Sequence, residues 1–443
     1  MSSDLLSIGA SGVRAYQTAL GTTSENIANT DTAGYVRRTA NMTEIGAAQG
    51  IGGYGVVSDG IRRMGDIFRD ADVRVATADL ARSEAGIVWL ERLDVALAGP
   101  QLAERMGQFF NAGAQAAADP SATAPRIVML EHAISIAQAF TTSADTLERM
   151  TAEVDVAGQG AASDLESHSR ALAQVNAAIG RTQPGSSGQA QLLDERDRLI
   201  DAMSAYADLN VATDDVGRAT VRVGGPGGPV LITGDRVSSV AYNRSNTGAA
   251  QFIVSSVGVT SVLPATSGKL AGIVEGAGRI ADAQIELRIM ANEFADGINT
   301  LQAQGRDLDG NAGQPLFITD PADPSRMTVG LTDPRGIAAS GVGGGPRDNA
   351  TLLALDEFRR TAAFEDRAAS MIAGNGAALQ ARKSVAEAQA SIKDQAVSSR
   401  SNAVGVDLDR EAVDLIRFQQ AYQASSRVIQ VARETIDSIL QIR

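Results

Sequence analysis

Near the C-terminal end of the chain Leu408, Leu415, Tyr422, Ile429 and Ile436 recur every seven residues, with Phe418, Ala432 and Ile439 three positions after three of them. Near the N-terminal end Leu6, Val13, Leu20 and Ile27 repeat at the same interval. A stripe of that period lines one side of a helix and needs a second helix to cover it. Either the two terminal helices cover each other within one chain, or each end is half of an interface with another subunit.

Between these ends the pattern changes twice. Residues 3–29 read as a helix, closed by NTDTAGYVRR, whose turn formers include a Gly34 suited to positive φ. Glycines at 46, 50, 52, 53, 55 and 60 then mark a connector with room for short strands such as 55–58. From Gly65 to Tyr206 the text is rich in Ala, Leu, Glu, Arg and Gln, and its breaks at Gly99-Pro100, Asp119-Pro120 and Pro184-Gly185 predict about four helices, one of them long. From Leu209 β-branched and polar residues alternate through QFIVSS at 251–256, which predicts a small antiparallel β region with a turn at GGPGGP. Helix returns from Ser267 to Gln304, a loop-rich stretch with strands at PLFITD and RMTVGL fills 305–346, and helical text resumes at Asn349, broken at Gly374 to Gly376.

The predicted class is therefore mainly α with a β insert. The N- and C-terminal parts form an elongated helical-bundle stalk, and a small antiparallel β domain is inserted in the middle of the chain. The segments are a terminal helix and connector (1–60), the first part of the bundle (61–206), the β domain (207–266), the returning bundle with its loop segment at 305–346 (267–400), and a second terminal helix (401–443). Because the chain goes out and comes back, the β domain is expected at the far end of the stalk.

Composition narrows the function. The chain has 443 residues and 44% hydrophobic content, enough for several cores. Its net charge of -13 repels nucleic acid and anionic lipid, so neither is expected as a partner. No cysteine is present, which removes disulfides and thiolate chemistry. The opening MSSDLLSIGASGVRAY has neither a basic nor a continuously apolar region, so no cleaved secretory signal is read there, and no stretch is apolar enough to span a bilayer.

Candidate chemistry is sparse. His132 and His168 each stand alone in helical text, without a second ligand at metal spacing. Asp307, Asp309 and Asn311 begin like a calcium loop, but Ala312 replaces the required Gly and Ile318 the closing Glu. GGPGGP loses amide donors to its prolines and opens no helix, and no serine sits in a nucleophile elbow. Trp89 and the Phe109-Phe110 pair read as helix-packing anchors. No catalytic residue, cofactor or metal site is assigned.

The run SENIANTDTAGYVRR, with Asn26, Ile27, Asn29, Gly34, Tyr35 and Arg37, resembles the signature of flagellar axial proteins. GVDLDREAVDLIRFQQAYQASSRVIQVARETIDSIL, with Leu415, Phe418, Gln419, Tyr422 and Ile429, resembles their matching C-terminal end. The helical text of 65–206, together with QLLDERDRLIDAMSAYADLNV, GRDLDGNAGQPLF and RMTVGLTDPRGIAAS, is similar to the hook-associated branch of that family, although the outer insert is short for it. The resemblance implies a structural subunit at the junction of hook and filament, extracellular, exported unfolded by the flagellar type III apparatus with a chaperone at its C-terminal segment. It further implies contacts with the hook protein, the next hook-associated protein and copies of itself in a ring. The polymerising surface would then comprise Leu6, Val13, Leu20, Asn26, Ile27, Asn29, Gly34, Tyr35, Leu408, Leu415, Phe418, Tyr422, Ile429 and Ile436. A hook or distal-rod subunit is the alternative within the family, and a hydrolase delivered with the flagellum the alternative outside it.

Overall fold

In the computed structural model, which describes residues 2–45, 55–256 and 258–441, the two terminal stripes form α1 (Ser2–Ala28) and α9 (Leu408–Gln441). The glycine-rich middle of the connector, 46–54, lies outside those residues. On either side of it β1 (Arg38–Glu44) and β2 (Val56–Arg63) pair antiparallel, so the connector is a hairpin whose first strand starts inside the polar signature.

Four helices follow: α2 (Ile67–Ala98), α3 (Leu102–Ala118), α4 (Thr123–Ile179) and α5 (Ser187–Ser204). They break at the three expected places, where proline removes an amide donor and clashes with the preceding turn. Asp66 starts α2 by accepting from the amides of Phe68 and Arg69, and Ser186 starts α5 by accepting from the amide of Gln189. With 57 residues, α4 is about 85 Å long at 1.5 Å per residue and serves as the spine.

The β region forms two antiparallel sheets. One holds β3 (Leu209–Thr213), β4 (Ala219–Val223), β5 (Val230–Thr233) and β6 (Arg236–Val237) in that order. The other holds β7 (Ser239–Arg244), β8 (Ala250–Ser256) and β9 (Val259–Val262). Alternation sets the facing: Ala219, Val221 and Val223 are buried while Thr220 and Arg222 point away.

The sheets do not cap the far end of the stalk, contrary to the expectation from chain order. Helix α6 (Gly268–Gln304) begins where α5 ends: the amides of Lys269 and Leu270 donate to the carbonyls of Ala205 and Tyr206 at 2.9 and 3.1 Å. Gly268, at φ +76°, comes so close to Tyr206 that a Cβ would lie 2.3 Å from its carbonyl carbon. The Ser267 hydroxyl donates to Asp79 of α2 at 2.7 Å. An insert sits where its two flanking helices meet, and these meet beside α2, so the sheets lie on the flank against α4, with the Tyr242 ring over Gly158. The outer end is instead built from α3, the start of α4 and the 305–346 segment, where β10 (Phe317–Thr319) pairs with β11 (Met327–Val329). The buried Arg126 clamps that segment, donating to the carbonyls of Pro120 and Ile337. Burial pushes its pKa down from the usual arginine value.

Helices α7 (Ala350–Ala362) and α8 (Phe364–Val404) complete the return. The break lies at Ala363, which adopts φ +47°, and not at Gly374 to Gly376, through which α8 runs uninterrupted. Docking explains the difference: the buried Asn375 side chain donates to the Leu90 carbonyl of α2 at 3.0 Å, and packing along α2 outweighs the roughly 1 kcal/mol that a helical glycine costs. The apolar core is centred on Phe294, whose ring stands 5.4–5.9 Å from those of Phe109, Phe110, Phe140, Phe317 and Phe364, mostly edge to face or tilted.

Candidate assembly interface

Helices α1 and α9 run antiparallel and cover each other along their length. On α9 the inner face is the predicted seven-spaced stripe: Leu415, Phe418, Tyr422, Ile429 and Ile436 are half-buried, because a single partner helix cannot enclose a seam, while Leu408 in the first turn is exposed. On α1 the fully buried residues are small: Gly9, Ser11, Gly12, Ala15, Ala19, Thr22 and Thr23, ending at Asn26. The larger row of Leu6, Val13, Leu20 and Ile27 runs beside them and stays half-exposed. Small residues let the backbones approach. A Cβ at Gly9 would lie 2.7 Å from the Ile429 side chain, and one at Gly12 would lie 2.7 Å from Ser425 Oγ. Farther along, the Tyr16 and Phe418 rings sit 6.5 Å apart. On its other side α1 meets the hairpin, where Ser11 Oγ accepts from the Val56 amide at 3.2 Å.

The pair is fastened to the bundle by a buried polar knot centred on Asn26. Its Nδ2 donates to the Arg38 carbonyl at 2.8 Å and to Glu411 Oε2 at 2.9 Å. Its Oδ1 accepts from the Tyr35 hydroxyl at 2.9 Å and the Arg38 amide at 3.0 Å. Those four bonds exhaust the capacity of an asparagine side chain, so no shorter or apolar residue can replace it without orphaning a buried group. Glu411, itself 1% exposed, also accepts from Arg37 Nε at 2.6 Å, and Arg37 reaches Asp414 at 3.1 Å. The Arg37 backbone accepts from the Met64 amide and donates to the Val404 carbonyl, each at 2.9 Å, which ties the end of α8 and the exit of the hairpin to the same point.

The charges continue into the bundle. Arg38 pairs with Glu25 and with Asp194 of α5, and its guanidinium lies 4.6 Å from the centre of the Tyr35 ring. Arg63 of β2 binds Asp194 and Asp197 at 2.6 and 2.8 Å. Arg74 of α2 and Arg400 of α8 both reach Asp201. Burial, helped by the carboxylates of Glu25, Asp194 and Glu411 and opposed by Arg38, pushes the Tyr35 phenol up to about 12. Burial and the neighbouring Asp197 also raise Asp70, against the pull of Arg74 and Arg400. For Arg63, burial works against the charge, but Asp197 and Asp194 outweigh it and the pKa rises.

Of the residues singled out from sequence, Asn26, Tyr35 and the Arg37 of the signature enter the knot directly. Asn29 closes α1, its Nδ2 donating to the Glu25 carbonyl at 2.9 Å, and the exposed Gly34 supplies a turn at φ +80°. Glu411, Asp414, Asp194, Asp197 and Arg63 were not among the expected site residues. One signal pointed to Glu411: it stands three residues after Leu408 and four before Leu415, a charge in the middle of an apolar stripe.

Elsewhere an open groove of about 820 Å³ lies between α2 and α4, lined by Val88, Val95, Ala139 and Met150. Its carboxylates Glu91 and Glu153 are engaged by Lys383 and Arg92 and do not converge. Among the described residues no three His, Asp or Glu side chains are placed to hold a metal ion, and no helix is long and apolar enough to cross a membrane.

Comparison with known proteins agrees with this geometry. Residues 90–317 match the family described as flagellar hook-associated protein FlgK helical domain. Residues 6–35 match the flagella basal body rod protein family, and residues 397–442 match the C-terminal family of the flagellar basal body rod FlgEFG proteins. Over their full lengths the chain and flagellar hook-associated protein 1 of Escherichia coli are 23% identical. That alignment has 548 positions against 443 residues here, so the relative carries stretches without a counterpart in this chain. Hook-associated protein 1 of Bacillus subtilis is 24% identical, over 96% of this chain and 95% of its own. A solved structure, the flagellar hook junction protein FlgK from Burkholderia pseudomallei, superposes with a TM-score of 0.51 at 21% identity, over 56% of this chain and 47% of that one, and shares its fold.

Proposed function

The chain belongs to the flagellar hook-associated protein 1 family, an extracellular structural component of the flagellum and not an enzyme, and from that premise we propose that it forms the junction on which the filament is built. It would sit as a ring between the hook protein and the next hook-associated protein, after export through the flagellar type III apparatus with a chaperone on its C-terminal segment. The observation that carries this reading is the knot. Asn26, Arg37 and Glu411 join the two terminal signatures into one antiparallel pair, and that pair leaves the stripe of Leu6, Val13, Leu20 and Ile27 half-exposed for a neighbouring subunit. The inner residues of α9, Leu415, Phe418, Tyr422, Ile429 and Ile436, shape the pair, while Asn29 and Gly34 set the turn that brings Tyr35 to it.

A chain that passes through a narrow channel cannot carry its polymer contacts preformed, so a loosely enclosed terminal pair suits such a route. The absence of cysteine suits it too, since an early disulfide would obstruct passage. The helices of residues 67–204, ahead of the β region, favour a junction subunit over a hook or distal-rod subunit. Electron microscopy of cells lacking the gene, with an assay for flagellin in the medium, tests the proposal. Finished hooks without filaments and flagellin lost to the medium are expected. Missing hooks would transfer the protein to the rod or hook, and normal filaments would refute the role.

A further inference from the structure

The terminal pair rides on the hairpin. Helix α1 packs on α9 and on both strands, β1 and β2, α9 packs on α1, and among the described residues neither lies along a helix of the body. One hydroxyl of α5, Ser187, also donates to Glu25 of α1 at 3.1 Å. The pose of the pair is therefore set where the hairpin meets the body, and that junction has two unlike parts. One is ionic: Arg38 and Arg63 reach the carboxylates of α5. The other is bare backbone, at the turn between α4 and α5, where the Ile61 amide donates to the Gly185 carbonyl at 2.7 Å.

Neither segment has room for a side chain at this point. A Cβ on Gly60 would lie 2.8 Å from the Gly185 carbonyl oxygen and 3.0 Å from its Cα, and one on Gly185 would lie 3.3 Å from the Gly60 Cα and 3.4 Å from the Asp59 carbonyl oxygen. Each glycine also holds a positive φ, +107° and +74°. A bulge aims the strand at the turn: the pairing skips between Ala40 and Met42, so Asp59 and Gly60 together stand opposite Asn41. The turn is held from behind, its Gly185 amide donating to Gln189 Oε1 at 2.8 Å and Ser186 capping α5. A long arginine can follow its carboxylate through a small shift of the strand. Two backbones in contact cannot, because the hydrogen bond between them weakens steeply with misalignment.

We infer that Gly60 and Gly185 are positioning residues: their backbone contact fixes the angle at which the terminal pair leaves the body, separately from the knot and the ion pairs. The inference rests on the proposed assembly role and names what aims the pair at its neighbour. At 1.5 Å per residue α1 is about 40 Å long, so a small tilt at this rest is multiplied at the far end of the helix.

Gly185→Asn tests it, because asparagine tolerates positive φ while its side chain leaves the strand no room to seat. Gly248→Asn is the control: it has a similar φ of +82°, and a Cβ there meets nothing within 4 Å. The chain has no cysteine, so nitroxide labels on Ser163→Cys in α4 and Gln420→Cys in α9, both exposed, report the pose of the free full-length protein by double electron-electron resonance. Gly185→Asn should shift or broaden the label distance and abolish filaments in cells, with the thermal transition of the body unchanged, and Gly248→Asn should alter neither distance nor filaments. An unchanged distance in Gly185→Asn, or a shifted one with normal filaments, would overturn the inference while leaving the junction role intact. So would a lowered thermal transition, which would make the turn part of the body's own stability, or an equal shift in Gly248→Asn, which would trace the effect to backbone strain. Normal filaments in the gene deletion would instead remove the junction role itself.

Discussion

The outer end of the molecule and its terminal pair are both helical, yet they are held by opposite means. Around Phe294 five further phenylalanine rings interlock, with charge only at the rim, where Arg359 and Arg367 lie over Phe110 and Phe364, and the residues that build this core come from α3, α4, α6, α8 and β10. The terminal pair contributes nothing to that core. Two helices enclose one half-buried seam of small residues, and a network of arginines and carboxylates ties them to the bundle. Apolar packing is indifferent to orientation and stabilises by area. A buried polar knot stabilises little in net terms but is exacting about geometry, since each misplaced partner leaves an unpaired charge. The contrast suits a subunit with a self-sufficient body and an end whose pose must be correct when neighbours arrive.

Substitutions can break the comparison at either side, and the largest effect is expected in the core. Phe294→Ala removes the central ring and should cost about 3–5 kcal/mol, read as a lower urea midpoint for the whole chain. Glu411→Ala leaves Arg37 and Asn26 without their shared partner. It should cost about 3 kcal/mol of the terminal unit's docking, visible as proteolysis within α1 and α9 while the thermal transition of the body is unchanged. Leu415→Asp places a charge on the seam, and a normal yield of filaments from it would show that the seam does not have to close during assembly. The smallest effect is alkaline. The folded pKa of Tyr35, about 12, lies above the unfolded value near 10, so its contribution to stability is complete below pH 10 and is lost as pH rises toward 12. In an ultraviolet titration Tyr35→Phe should lose one phenol ionising near pH 12.

Much of the fold is legible in the sequence because its signals are local. Prolines at 100, 120 and 184 interrupt helical text, and alternation in ATVRV marks a half-buried strand. What could not be read depends on distant partners. Gly374 and Gly376 look like a break until Asn375 is seen to grip Leu90 on α2. The β domain looks terminal until the end of α5 and the start of α6 are found in contact. On α1 the seven-spaced Leu6, Val13, Leu20 and Ile27 drew attention to themselves, whereas the buried row is Gly12, Ala15, Ala19 and Thr22, which hydrophobicity alone does not flag. In the knot, Asn26, Tyr35 and Arg37 were identified through the family signature. The carboxylates of α5 were not, because nothing local distinguishes Asp194 and Asp197 from the other acids of QLLDERDRLID.

The central claim is that the terminal pair is a separate unit, latched by the knot and weaker than the body it is attached to. Native-state hydrogen exchange on the full-length free protein tests it most directly. Amides of α1 and α9 should exchange through openings well below the global unfolding free energy, and those of α3, α6 and the middle of α4 should exchange only through global unfolding. Equal protection in α1, α9 and the Phe294 core would contradict the account.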